Sequence, residues 1–184
     1  MGTLMETEMV KTVKNIDKVL KQFKQFGKEA EKMVEETTSS NAKEIVRNAK
    51  ANVTRVAFNN GKLAQSIYDD KNTYANYSIK VGLEYGAYVE FGTGKQVRVP
   101  KELQDQANKF KGKGGNFEQG LQSIKDWCKN KGIDEKFAYP IFMAILRDGL
   151  TPRPFLYPAF RKGRIQYLKD LESDLEHLTK KYND

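Results

Sequence analysis

With 184 residues, 39% hydrophobic and 30% charged side chains and a net charge of +8, the chain can bury a core but is lean in apolar material. Its single cysteine, Cys128, excludes an intramolecular disulfide, and no signal-like segment or membrane-length apolar run occurs. These features point to an elongated or oligomeric soluble protein of a reducing cytoplasm, or one assembled there, rather than to a compact enzyme.

The positive charge is uneven, with 11 basic against 8 acidic residues in 1–60 and 11 against 7 in 95–150. Such a surplus attracts nucleic acid or an acidic partner, and it equally describes a lysine-solubilised surface. No stretch is densely basic; the nearest is Arg161-Lys162-Gly163-Arg164.

Residues 1–58 form a helical arm. Met9, Val13, Ile16, Leu20, Phe23, Gly27, Ala30 and Val34 step alternately by four and three, the 3.5-residue repeat of a narrow packing seam. Packing on the protein's own sheet or C-terminal helix is favoured over an intermolecular zipper, because Gly27 and Ala30 weaken the latter. Thr37 to Asn41 lowers helix propensity, and Asn41 with Glu44 resembles a capping box, so one helix or two remain open.

Residues 59–94 predict a β-meander. Asn59-Asn60-Gly61 is a turn signal, and Tyr77, Ile79, Val81 and Leu83 alternate as a half-buried strand does. The stretch YGAYVEFGTG at 85–94 is aromatic, β-branched and glycine-bounded, which suits a further short strand with Glu90 embedded in it. Residues 95–150 predict a mobile lysine- and glycine-rich loop around Lys109, Lys111 and Lys113, then a helical insertion at 117–131 and 137–147 stopped by Gly132 and Gly149. In residues 151–184, TPRPFLYP is too proline-rich for a central strand and suits an extended edge segment that inserts Phe155. Pro158 then opens a last helix with Phe160, Arg164, Leu168, Leu171, Leu175, Leu178 and Tyr182 on one stripe. The fold class is α+β within a single domain: a small antiparallel sheet, a long N-terminal helix or helix pair, a C-terminal helix and a helical insertion.

Chemistry is scarce. His177 is the only histidine and Cys128 the only cysteine, so no ordinary zinc site can be built. His177 reads as a surface helix residue, and Cys128, beside Trp127, as a buried inert thiol. Gly92-Thr93-Gly94-Lys95 superficially suggests a phosphate loop, but Val89 stands where that motif needs glycine and Gln96 where it needs a hydroxyl. No catalytic, metal or cofactor residue can be named, and no enzyme activity is expected.

Three pieces in order carry a resemblance: GKLAQSI at 61–67 after a helix bearing Ala42, Lys43, Ala49 and Lys50; YGAYVEFGT at 85–93; and PRPFLYPA at 152–159. Together they resemble the gene-product-ten-like tail components of long-tailed bacteriophages, over roughly residues 42–159. The chain departs from that pattern at VTRVAF (53–58), where a proline-containing turn is expected. The resemblance implies a structural virion protein of the head–tail junction, called a tail-completion, neck or head–tail joining protein. It would assemble as a ring, commonly six-fold, around the DNA channel, beside other neck and tail proteins and without a membrane. Expected assembly residues are Tyr85, Tyr88, Glu90, Phe91, Gly92, Thr93, Arg153, Pro154 and Phe155, through strand-edge pairing of 88–91 and 153–155. Glu90 is expected to accept a hydrogen bond from Arg153. The competing class is a basic nucleic-acid-binding module stacking bases on tyrosines of residues 74–83.

Overall fold

Helix-favouring lysines, glutamates and spaced apolar residues carry α1 without a break from Gly2 to Val56, 55 residues. The computed structural model describes residues 2–56, 61–83, 85–108 and 116–183, with α1 side chains from Ile16 to Arg55. At about 1.5 Å per residue α1 is roughly 80 Å long. A second long helix, α7 (Leu156–Asn183), returns antiparallel along it. Asn52 meets Phe155, Asn41 meets Gly163, Thr38 meets Tyr167, and Glu29 meets Lys181. Between them come α2 (Lys62–Gln65), β1 (Ile67–Thr73), β2 (Asn76–Val81), α3 (Tyr85–Phe91), α4 (Gln104–Asn108), α5 (Phe117–Lys131) and α6 (Ala138–Asp148). The architecture is α+β and mostly helical, with one two-stranded antiparallel sheet among the described residues.

The weak helix formers at 37–41 lie inside one helix, and their side chains explain why. Thr37 donates to Asp174 (2.6 Å), Thr38 bonds the Tyr167 hydroxyl (2.9 Å), and Asn41 donates to the Gly163 carbonyl (2.9 Å). These residues form a polar seam to α7 rather than a helix break. At Gly163 the helices are in close contact: a Cβ there would lie 2.2 Å from Ile45 Cγ1.

The core gathers Ile45, Val46, Ala49 and Val53 of α1 around Leu63, Ile67, Phe155 and Ala159. Phe155 inserts as expected and is 1% exposed. The hairpin pairs Ile67 with Val81, Asp69 with Ile79 and Lys71 with Tyr77. Its tip is latched to α1, where Glu35 accepts from Lys71, from the Ala75 N–H (2.6 Å) and from the Tyr77 hydroxyl (2.7 Å). Lys71 first, then those two donors, lower the Glu35 carboxyl from its ordinary range to about 2. The Tyr74 hydroxyl donates to the Glu31 carbonyl.

Three expectations are corrected. Residues 85–91 are helix α3, not strand: Gly86 and Glu90, four apart, are both buried, a helical period that outweighs local β-propensity. Residues 150–154 carry no strand either, so neither 88–91 nor 153–155 presents the strand edge expected to pair with a neighbouring subunit. The α7 stripe is also turned. α7 meets α1 through Ala159 and Gly163, which leaves Phe160, Leu168 and Leu175 exposed by 47, 60 and 49%.

The helical insertion forms at its expected places. Asn116 caps α5, Gly132 ends it in the left-handed region (φ 69°), and Phe117 packs edge-to-face on Phe142 at 5.0 Å. Cys128 is buried there, while His177 is exposed on α7.

Candidate functional site

A helix begins with backbone N–H groups that have no acceptor within the helix. At the start of α7 the preceding residue is Phe155, whose side chain cannot cap, and Pro158 in the first turn has no N–H to satisfy. The donors that remain, Phe155, Leu156 and Tyr157, all converge on Glu90. Phe155 N and Leu156 N donate to Oε2 at 2.7 and 2.9 Å, and Tyr157 N donates to Oε1 at 2.9 Å. Glu90 is 6% exposed. One carboxylate from α3 thus caps a helix 65 residues further along, at the positive end of its dipole.

The flanking backbone holds the same two segments together. Arg153 N donates to the Val89 carbonyl (2.7 Å) and Thr93 N to the Leu150 carbonyl (3.0 Å), while Leu150 N donates to Thr93 Oγ1 (2.8 Å). Gly92 makes this approach possible: its φ is +77°, and a Cβ would sit 2.6 Å from the Leu150 carbonyl oxygen and 3.0 Å from Pro152 Cδ. From the other side Asn52 Nδ2 donates to the Phe155 carbonyl at 2.9 Å.

Docking of the Pro-Arg-Pro-Phe segment by Glu90 is therefore present, with a different donor from the one expected. Backbone N–H groups, not the Arg153 guanidinium, fill the carboxylate, because the segment turns into a helix and presents its first-turn donors. Arg153 instead lines a cleft of about 950 Å³ between α3 and the insertion, together with Tyr85, Tyr88, Trp127 and Ile141. Partial burial holds the Tyr85 hydroxyl above its ordinary value. Phe91 closes α3, its carbonyl accepting Arg98 N at 2.9 Å, and Pro154 is exposed. Lys109, Lys111 and Lys113 lie outside the described residues.

Sequence reasoning did not single out Asn52, Leu150, Leu156 or Tyr157. Asn52 carried a signal, an amide beside Val53 on the buried face of a helix; the other three act through backbone atoms, which side-chain patterns do not reveal. Among the described residues no cluster of three or more histidine, cysteine or acidic side chains is arranged to hold a metal. No described helix is long and apolar enough to cross a membrane.

A scan of family models finds one over residues 17–92, "Bacteriophage HK97-gp10, putative tail-component". Residues 17–92 are HK97-gp10-like. This is the family that the sequence pieces resemble, and its description is that of a putative bacteriophage tail component. The HK97-gp10-like region ends at Gly92, two residues past Glu90, so the capped start of α7 lies beyond it and is joined to it by the contacts above. No curated protein matches the chain, and no solved structure matches it.

Proposed function

We propose that this chain is a structural protein of the phage head–tail junction, a tail-completion or head–tail joining component that forms a ring around the DNA channel. The observation that carries the reading is the family match over residues 17–92. The fold supports it in kind. A long helix pair, a small hairpin and a rigidly capped joint make a building block, and the chemistry within reach is that of packing. Subunits of a ring must contact through two different surfaces that close on each other. Surfaces around α3 and residues 150–155, with the cleft between them and the insertion, are placed to serve neighbouring virion proteins.

The nucleic-acid reading keeps little stacking surface. The Tyr77 ring is half-buried with its hydroxyl on the Glu35 carboxylate, whereas Tyr74 bonds the Glu31 carbonyl and stays 55% exposed. What remains for it is that ring and the charge of +8.

Gold-labelled antibody against this chain, imaged on intact particles, tests the proposal. Label confined to the head–tail junction is expected. Label along the tail shaft, or none on finished particles, overturns it. Binding of the isolated protein to DNA with a steep salt dependence would favour the rival.

A further inference from the structure

Both long helices carry apolar stripes that the described residues leave exposed. On α1, Ile16, Leu20 and Phe23 are 51, 53 and 69% exposed. The last described turn of α7 lies beside Phe26, whose ring meets Tyr182 edge-to-face at 5.3 Å, and it shares a groove with Val19 and Phe23, beyond which α1 runs on. On α7, Phe160, Leu168 and Leu175 face away from α1 because Ala159 and Gly163 make the close contact. Scattered apolar residues on a surface are ordinary, whereas stripes at helical spacing mark contact surfaces.

We infer that these stripes are the two halves of one contact between copies of this chain: the projecting part of α1 in one copy lies along the open face of α7 in the next. The inference deepens the ring reading and rests on it. Spacing supports it first. Ile16, Leu20 and Phe23 step by four and three, and Leu168, Leu171 and Leu175 by three and four, so each seam advances two turns in the 3.5-residue repeat of packed helices. Charge supports it second. Lys18, Lys21, Lys24 and Lys28 flank the α1 stripe against the one acid Asp17, while Glu172 and Glu176 stand exposed along Leu168–Leu175 against Lys169; Asp174 is spent on Thr37 of the same chain. A basic seam thus meets an acidic one of equal length, which selects partner and register.

Continuity is the third support. From Phe26 onward α1 already packs an antiparallel α7, and the stripe continues in phase through Phe23, Leu20 and Ile16. A neighbour's α7 face prolongs that arrangement. Because the two seams are different surfaces, the contact is head-to-tail and propagates until it closes.

The test is native mass spectrometry and sedimentation of the full chain across a concentration series. Four proteins are compared: the parent, K21E/K24E, E172K/E176K and the fourfold charge exchange. All four positions are exposed, so folding should persist, and circular dichroism checks it. Each pair variant should associate at least about tenfold more weakly, and the fourfold exchange should regain most of the loss. Pair variants that associate like the parent, or an exchange that restores nothing, overturn the seam; the faces then belong to another virion protein or to none. A parent ring indifferent to the reversals sinks the seam and leaves the ring reading standing. A charge-sensitive open filament supports the seam and sinks the ring. A parent that stays monomeric at every concentration removes both.

Discussion

Replacing Glu90 by alanine removes the acceptor for every backbone donor that opens α7. The Phe155 N–H lies in a buried bond, so its loss costs the full desolvation penalty, about 1–3 kcal/mol. The Leu156 and Tyr157 bonds are partly buried, and water can replace part of each, at roughly 1 kcal/mol apiece. With the lost charge at the helix N-terminus, the total is about 3–5 kcal/mol. For a chain of this size that lowers the melting temperature by roughly 10 °C. Glu90→Gln keeps one acceptor oxygen but points an amide N–H₂ at a donor, so its loss should fall between parent and alanine. Arg153→Ala leaves the three bonds to Glu90 and the backbone bond from Arg153 to Val89 in place, so it reports on the side chain apart from the cap. Denaturant unfolding with the m-value held constant measures all three. If Glu90→Ala unfolds within about 0.5 kcal/mol of the parent, the cap is not what docks α7.

Further outcomes follow from the same contacts. Gly163→Ala should destabilise by about 1–3 kcal/mol despite alanine's better helix propensity, since its Cβ would meet Ile45 Cγ1. Pairing it with Ile45→Ala should give a total loss well below the sum of the two, and strict additivity in the cycle would argue against the close crossing. Gly92→Ala should cost more than an exposed glycine replacement, about 2–4 kcal/mol, because alanine resists the positive φ and would strike the Leu150 carbonyl. Chemical denaturation that finds it neutral would refute that approach. The hairpin latch should be acid-sensitive. The folded Glu35 carboxyl lies at about 2 against an ordinary 4.5. Its contribution is therefore complete above pH 4.5 and lost as pH falls from there towards 2. Stability of the parent minus that of Glu35→Gln, followed from pH 6 to 2, should shrink across that window; a constant difference would contradict the latch.

Much of the architecture was legible because it rests on side-chain periodicity. The long helices at either end, the helices of the insertion with their glycine stops, and a strand at Asn76–Val81 over most of the alternating run each appear in the structure. Residues 85–91 were not, because aromatic and β-branched residues favour a strand locally while packing demands that Gly86 and Glu90 share a buried face. The soft spot at 37–41 misled for a related reason: Thr37, Thr38 and Asn41 lower helix propensity in isolation, yet their polar groups are spent on α7. The candidate site was half visible. An acid among apolar neighbours signalled a partnered charge, but its partners are backbone N–H groups, which every residue but proline possesses and no sequence pattern marks.

The claim of a ring-forming junction component is tested most directly by electron-microscopic imaging of the purified full-length chain at high concentration. Closed rings with a central hole wide enough for duplex DNA are the predicted result. A field of monomers, or filaments that never close, would contradict it.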